Sequence, residues 1–158
     1  MRVGVGYDSH RYDPQRPLIL GGLEIPGHPG LLGHSDGDAV AHAITDALLG
    51  ACALGDIGSH FPPDEERWRG ADSMTLLASA VERVREAGFQ PGNVDVVVVS
   101  ESIRVGPVAD RMRARVADVL DVPRTRVSIK GKSNEGMGWV GRGEGLAVHA
   151  VALVVSAP

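Results

Sequence analysis

The chain has 158 residues, 43% of them hydrophobic and 23% charged, which fits one domain with a sizeable core. Its formal net charge of −4 argues against nucleic acid as the main partner, because backbone phosphates require a basic face. The apolar runs Val94–Val99 and Leu146–Val155 are too short to span a bilayer, and Asp95 and His149 interrupt them, so no membrane segment is expected.

Arg2–Tyr7 alternates apolar residues with glycine and predicts a strand that ends in the polar Asp8-Ser9-His10. No long apolar stretch follows Arg2, so this is not a secretory signal. Leu18–Ile25, between Pro17 and Pro26, predicts a second short strand, and residues 26–33 a loop. Ser35 or Asp36 fits an N-cap, and Ala39, Ala43 and Ala47 share one side of a helix reaching about Leu54 and closed by Gly55. Cys52 fits there as core filler. As the chain's one cysteine it forms no intrachain disulfide, which suits a reducing cytoplasm.

Residues 56–70 read as an irregular loop, and a second helix runs from about Asp72 to Ala87, closed by Gly88. Val94–Ser100 is nearly all valine and predicts a strand buried on both faces. A third helix holds Pro107 near its first turn and runs to about Leu120. Strands Arg126–Lys132 and Leu146–Ser156 finish the chain, joined by the glycine-rich Gly131–Gly145. This order predicts an α+β (mixed α/β) single domain over residues 1–158: a four-to-five-stranded mixed sheet with three helices packed on one face. Aromatics are only 4% while glycines number 21, so the lean core suggests surfaces completed by partner subunits.

Several residues suit metal and phosphate chemistry. Asp8 and His10, two apart on a strand, project to the same side. His42 lies on the following helix, with Asp38 and Asp46 one turn before and after it. One carboxylate and two imidazoles suit a zinc ion with an open position, which marks a catalytic site, and Asp38 or Asp46 would orient the His42 ring. Taken singly, Asp-x-His and a helical histidine are also ordinary core or surface residues.

His34-Ser35-Asp36-Gly37-Asp38 either offers donors to an anion at a helix start or simply caps the helix. Lys130–Gly138 carries cations, a hydroxyl and one carboxylate. Lys132 and Ser133 suit phosphate oxygens and Glu135 a magnesium shared with them, the alternative being a solvated loop; the Walker spacing is absent. Asp56-Ile57-Gly58 is a helix-ending turn or a substrate contact. Gly141-Arg142-Gly143-Glu144-Gly145 reads as a tight hairpin with a surface ion pair.

Together these segments resemble the 2-C-methyl-D-erythritol 2,4-cyclodiphosphate synthases. The run Ser35-Asp36-Gly37-Asp38-Ala39-Val40-Ala41-His42-Ala43-Ile44-Thr45-Asp46-Ala47-Leu48-Leu49-Gly50-Ala51 is similar to that family's signature. So are Gly6-Tyr7-Asp8-Ser9-His10, Gly55-Asp56-Ile57-Gly58, Phe61-Pro62, Gly70-Ala71-Asp72-Ser73 and Gly141–Gly145, in order from residue 2 to about 155.

The resemblance implies zinc on Asp8, His10 and His42, where the substrate's diphosphate is held, and magnesium or manganese on Glu135. His34, Ser35 and Ser133 would contact phosphates, with His34 and Ser133 stabilising the transition state. Asp56 and Gly58 would hold methylerythritol hydroxyls. The segments 100–106 and 131–133, with Ser100, Arg104, Gly106, Gly131 and Lys132, would form a cytidine pocket, and Trp139 would also touch substrate. Arg142 and Glu144 would line the centre of a homotrimer whose active sites lie between subunits and whose channel can hold an isoprenoid diphosphate.

The implied substrate is 4-diphosphocytidyl-2-C-methyl-D-erythritol 2-phosphate, cyclised with loss of CMP in the non-mevalonate route to isoprenoids. Three departures stand out: Ile103-Arg104 replaces Pro-Lys, Pro63 replaces an Asp, and Lys132-Ser133-Asn134-Glu135-Gly136 replaces Thr-Thr-Thr-Glu-Lys. Lys132 would then supply the cation lost after Glu135. Two other readings compete: a zinc phosphohydrolase, and a non-catalytic carrier of isoprenoid diphosphate.

Overall fold

The computed structural model describes residues 1–157. Strand β1 (Arg2–Asp13) opens the chain, and β2 (Ile19–Leu20), β3 (Leu23–Glu24) and β4 (Gly30–Leu31) follow. Next come helix α1 (Ala39–Ala51), the short α2 (Ile57–His60), a 3-10 turn at Glu66–Trp68 and α3 (Ser73–Glu86). Then β5 (Phe89–Val99), α4 (Gly106–Leu120), β6 (Val127–Lys132), the short α5 (Gly138–Gly141) and β7 (Gly145–Ser156) complete the fold.

The main sheet is mixed, as expected, with the order β4-β1-β7-β5-β6. Only the β5–β6 pair is parallel. The face carrying Gly4, Gly6, Val94, Val96, Val98, Val148, Ala150 and Ala152 is buried under α1, α3 and α4. The opposite face is open in the single chain, with Val3 63%, Val5 68%, Tyr7 50% and Val151 44% exposed.

Several boundaries differ from the sequence reading. β1 continues past Tyr7, because Asp8, Ser9 and His10 pair with Val148, Ala147 and Leu146 of β7. Leu18–Ile25 is a tight hairpin whose two turn residues, Gly21 and Gly22, both have positive φ, the geometry that matches strand twist. Residues 56–70, expected as loop, hold α2 and the 3-10 turn. The valine strand β5 is buried on one face only, since Val97 and Val99 lie on the half-open side.

Helix α1 begins later and ends earlier than expected. Its N-cap is Asp38 rather than Ser35 or Asp36, and its last residue is Ala51 rather than Leu54. The fully buried Asp38 carboxylate accepts from Val40 N (3.0 Å) and Ala41 N (3.1 Å), and also from Gly21 N (2.9 Å) and Gly22 N (2.6 Å). One side chain thus fixes the start of α1 and seats the hairpin against it. Such a carboxylate satisfies donors that burial would otherwise leave orphaned.

Candidate active site

Alternation along β1 puts Asp8 and His10 on the helix-covered face, beyond Gly4 and Gly6. Those glycines let α1 approach closely, and the approach carries His42 onto Asp8. The Asp8 Oδ2 atom lies 2.9 Å from His10 Nε2 and 3.0 Å from His42 Nδ1, and the two ring nitrogens are 3.3 Å apart. These three atoms form the expected ligand set, all within 4.8 Å of one another.

The far sides of both rings are already engaged. The Leu32 carbonyl, which can only accept, takes the Nδ1 proton of His10 at 2.6 Å, so that in the neutral ring Nε2 is the lone-pair nitrogen. His42 Nε2 lies 2.8 Å from Ser73 Oγ and 3.0 Å from Ser35 Oγ. Two nitrogens and a carboxylate oxygen converging in this way fit a divalent cation with N/O preference.

In the metal-free chain, burial alone would raise the Asp8 carboxyl. The hydrogen bonds and charge of His10 and His42 outweigh it and hold the group at about 2, against an ordinary 3.8. For His10, burial pulls the imidazole down, but the Asp8 carboxylate and the Leu32 carbonyl lift it above 6.5.

Neither Asp38 nor Asp46 orients the His42 ring, contrary to the sequence expectation. Asp38 is spent on the cap and hairpin, and Asp46 accepts from Ile57 N at 2.7 Å. The partners of the ring are Ser73, at the start of α3, and Ser35.

The cluster lies in a pocket of about 240 Å³ whose apolar wall includes Ile57, Phe61, Pro63, Trp68 and Leu76. His34, Ser35 and Gly58 line it too. The His34 Nε2 atom is buried there without a hydrogen-bond partner. Asp56 caps α2 through Ser59 N (2.8 Å) and Ser59 Oγ (2.6 Å), bonds that hold its exposed carboxyl below the usual range.

The remaining expected residues gather elsewhere. Ser100 N donates to the Lys132 carbonyl (2.9 Å), and Asn134 N donates to Glu101 Oε1 (2.6 Å). A Cβ on Gly131 would meet Val105 Cβ at 2.9 Å, so segments 100–106 and 131–135 form one unit. Arg104, Gly106, Lys132, Ser133 and Glu135 are exposed on it. Glu135 has φ 52, and its Oε1 accepts from Ser133 Oγ at 2.6 Å. Ser100 is buried, its hydroxyl 2.9 Å from Tyr12 Oη, so it shapes the segment from beneath. Trp139 borders a separate hollow with His10 and Glu144, and Arg142 Nε pairs with Glu144 at 2.8 Å, the exposed ion pair read from sequence.

The two clusters stand at the same end of the sheet: Asp8 is level with Val148, Val98 and Gly131 across β1, β7, β5 and β6. Three strand spacings separate Asp8 from Gly131, roughly 14 Å.

Residues 1–155 match the YgbB family. A relative from Symbiobacterium thermophilum, named 2-C-methyl-D-erythritol 2,4-cyclodiphosphate synthase, is 54% identical over 154 residues, 98% of each chain. The chain belongs to the YgbB family. A synthase of the same name from Thermosynechococcus vestitus is 53% identical over 99% of this chain and 97% of its own. Among solved structures, a CDP-bound 2C-methyl-D-erythritol-2,4-cyclodiphosphate synthase superposes with TM-score 0.89 at 38% identity, covering 98% of this chain and all of that one. The bifunctional IspDF of Campylobacter jejuni gives 0.94 at 39% identity, and this chain spans 42% of that longer protein.

In this YgbB-family member, four residues help build the site in ways the sequence reading did not give. Ser73 and Asp36 back the His42 ring. Glu101 ties down the Glu135 loop. The Arg16 guanidinium grips the Gly33 carbonyl at 2.5 Å and the Ser35 carbonyl, holding His34 between them. Asp36, Glu101 and Ser73 lay within segments singled out from the sequence, Asp36 as a cap candidate and Ser73 with its own signal of a serine in the first turn of a helix; Arg16 did not.

Proposed function

We propose that the chain closes 4-diphosphocytidyl-2-C-methyl-D-erythritol 2-phosphate into 2-C-methyl-D-erythritol 2,4-cyclodiphosphate and releases CMP, a lyase step of non-mevalonate isoprenoid synthesis. The observation that carries this reading is the convergence of Asp8, His10 and His42 beside the unpartnered His34 Nε2, in a chain 54% identical end to end to a synthase of that name.

The 2-phosphate oxygen attacks the β-phosphorus while the bond to the bridging oxygen breaks, and CMP leaves with that oxygen. No water is consumed and no covalent protein intermediate is needed. Both reacting groups are anions of one molecule, so the protein's task is folding and charge neutralisation. A cation on Asp8, His10 and His42, in our reading zinc, supplies Lewis-acid neutralisation of phosphate charge, with magnesium or manganese at Glu135.

His34 and Ser35 stand on the pocket floor, where the open Nε2 and hydroxyl donate to phosphate oxygens. Asp56 and Gly58, beside the apolar wall, take the methylerythritol end. Ser133, Lys132, Arg104, Gly106 and Gly131 take the cytidine diphosphate end, over the buried Ser100. Trp139, which borders the hollow beside His10 and Glu144, would also touch substrate.

A homotrimer with shared sites is part of this proposal. It is supported by the exposed Val3, Val5, Tyr7 and Val151, and by the roughly 14 Å between the half-sites of one chain. Arg142 and Glu144 would face the axis, with room for an isoprenoid diphosphate. Residues 1–158 act as one catalytic domain in this reading. None of the described helices is long and apolar enough to cross a membrane. The buried, unbridged Cys52 supports a cytoplasmic setting.

The test is incubation of the pure protein with the cytidyl substrate under phosphorus NMR. CMP and the cyclic diphosphate should appear together. Release of inorganic phosphate instead would identify a phosphohydrolase, and no turnover with ligand binding alone would identify a carrier.

A further inference from the structure

We propose that Ser73, backed by Asp36, is a positioning residue that fixes the tautomer of His42 and so turns its Nδ1 lone pair toward the metal. The proposal rests on the reading of Asp8, His10 and His42 as a cation site. It adds two residues that do not themselves face the ion, and it divides the work of two serines.

The ring alone does not settle its tautomer. Two hydroxyls stand near His42 Nε2, Ser73 Oγ at 2.8 Å and Ser35 Oγ at 3.0 Å, and a hydroxyl both donates and accepts. Without an ion, Asp8 Oδ2 at 3.0 Å from Nδ1 competes for the ring proton; once an ion engages Asp8, Asp36 decides the matter. Its Oδ1 receives the hydroxyl of Ser73, and its Oδ2 accepts the Ser73 backbone N–H at 3.1 Å. A carboxylate only accepts, so the single hydroxyl proton of Ser73 is committed to Asp36. Toward His42, Ser73 Oγ is then an acceptor, and the imidazole proton belongs on Nε2. The opposite tautomer would aim an N–H at the point where Asp8 Oδ2 and His10 Nε2 converge and fill the cation site with a proton.

The relay is built to stay in place. Ser73 is fully buried, so bulk water does not compete for its hydroxyl. It is the first residue of α3, where backbone N–H groups lack helical partners, and Asp36 takes up that orphan donor as well. Asp36 is itself held, because its N–H donates to the Ala71 carbonyl at 3.1 Å while Gly70 N donates to the His34 carbonyl at 2.8 Å. These bonds join the segment before α1 to the segment before α3.

Ser35 is left for other work. Its Oγ accepts a long bond from Gly37 N at 3.3 Å, its own proton is not claimed by any carboxylate, and it lines the pocket. Ser73 therefore serves the metal and Ser35 the substrate, although both lie within hydrogen-bond distance of the same nitrogen.

The experiment compares zinc(II) affinity, by chelator competition, in the wild type, Ser73→Ala, Ser73→Thr, Asp36→Ala and Ser35→Ala. Ser73→Ala should bind zinc about 10- to 100-fold more weakly, the usual loss when the group orienting a ligating histidine is removed. Ser35→Ala should stay close to wild type. Ser73→Thr, which keeps the hydroxyl, should restore most of the affinity, and Asp36→Ala, which frees the Ser73 proton, should lose part of it. Equal zinc affinity in Ser73→Ala and wild type, or no rescue by Ser73→Thr, would overturn the proposal. If Ser73→Ala does not fold, Asp36→Ala decides, since unchanged affinity there would equally overturn it. Wild-type protein that binds no zinc would instead refute the cation-site reading itself.

Discussion

Gly6 and Ala43 meet backbone to backbone: a Cβ added to Gly6 would stand 1.9 Å from the Ala43 carbonyl oxygen. Gly4 and Ala47 repeat the contact one turn along, also at 1.9 Å. Helix α1 therefore rides on β1 with no side chain between them. His42 directly precedes Ala43, and Asp8 is two residues beyond Gly6, so this spacing brings the two ligands together.

Gly6→Ala should force α1 off the strand. Overpacking of this kind costs about 1–3 kcal/mol or more, and the shift should also loosen the metal centre. Denaturant melts should show lower stability, and chelator competition should show weaker zinc binding in the folded fraction. Unchanged values in both would mean that the helix tolerates a wider seat.

The pH behaviour of the metal-free protein follows from Asp8 and His10. Asp8, at about 2 against 3.8, adds stability that is full above 3.8 and lost as pH falls through about 2. His10, raised above 6.5, adds stability that is full below 6.5 and lost as pH rises through its folded value. The pair is thus most stabilising between about 4 and 6.5. Thermal melts of chelator-stripped wild type and Asp8→Asn should differ most inside that window and less at alkaline pH. A gap that widens at alkaline pH would contradict the assigned pairing.

Lys132 tests one departure from the family pattern. It is exposed at the end of β6, near Glu135, where the following residue is Gly136 rather than a cation. Lys132→Thr should weaken CMP binding by about 1–3 kcal/mol, the range for a hydrogen bond to a charged group. Calorimetry with CMP would read the change, and an unaltered affinity would make the substitution neutral.

Shared sites predict complementation. Asp8→Ala and Glu135→Ala proteins should each be inactive, whereas equal co-expression should restore about one quarter of wild-type sites, because each half is intact with a chance of about one half. Mixed trimers seen by mass spectrometry but without activity would place both halves in one chain.

The metal centre was legible in the sequence because its three ligands follow strand and helix periodicity: Asp8 and His10 share a face by alternation, and His42 sits among small helical residues. What orients His42 was not legible. Ser73 lies 31 residues away, and only the packing of α3 against α1 brings it near. Asp38 and Asp46 are the neighbours that periodicity offers, yet both carboxylates are drawn to backbone N–H groups instead. The N-cap was misplaced for a related reason, since Ser35, Asp36 and Asp38 all suit a cap and the Gly21-Gly22 hairpin selects among them. That hairpin had its signal in the glycine pair, which a reading of Leu18–Ile25 as one strand passed over. β5 looked buried on both faces because valine composition does not distinguish a helix-covered face from a half-open one.

The distance across the sheet between Asp8 and Gly131 also bears on how the cell meters the product. On the proposed shared-site reading, a lone chain would carry two unlike half-sites and complete neither. Whole sites would then appear only as chains find one another, so near the dissociation point output would rise more steeply than the number of chains made. A modest drop in synthesis of this chain would there reduce flux disproportionately. Expression of the gene would act as a threshold on the pathway instead of a proportional dial.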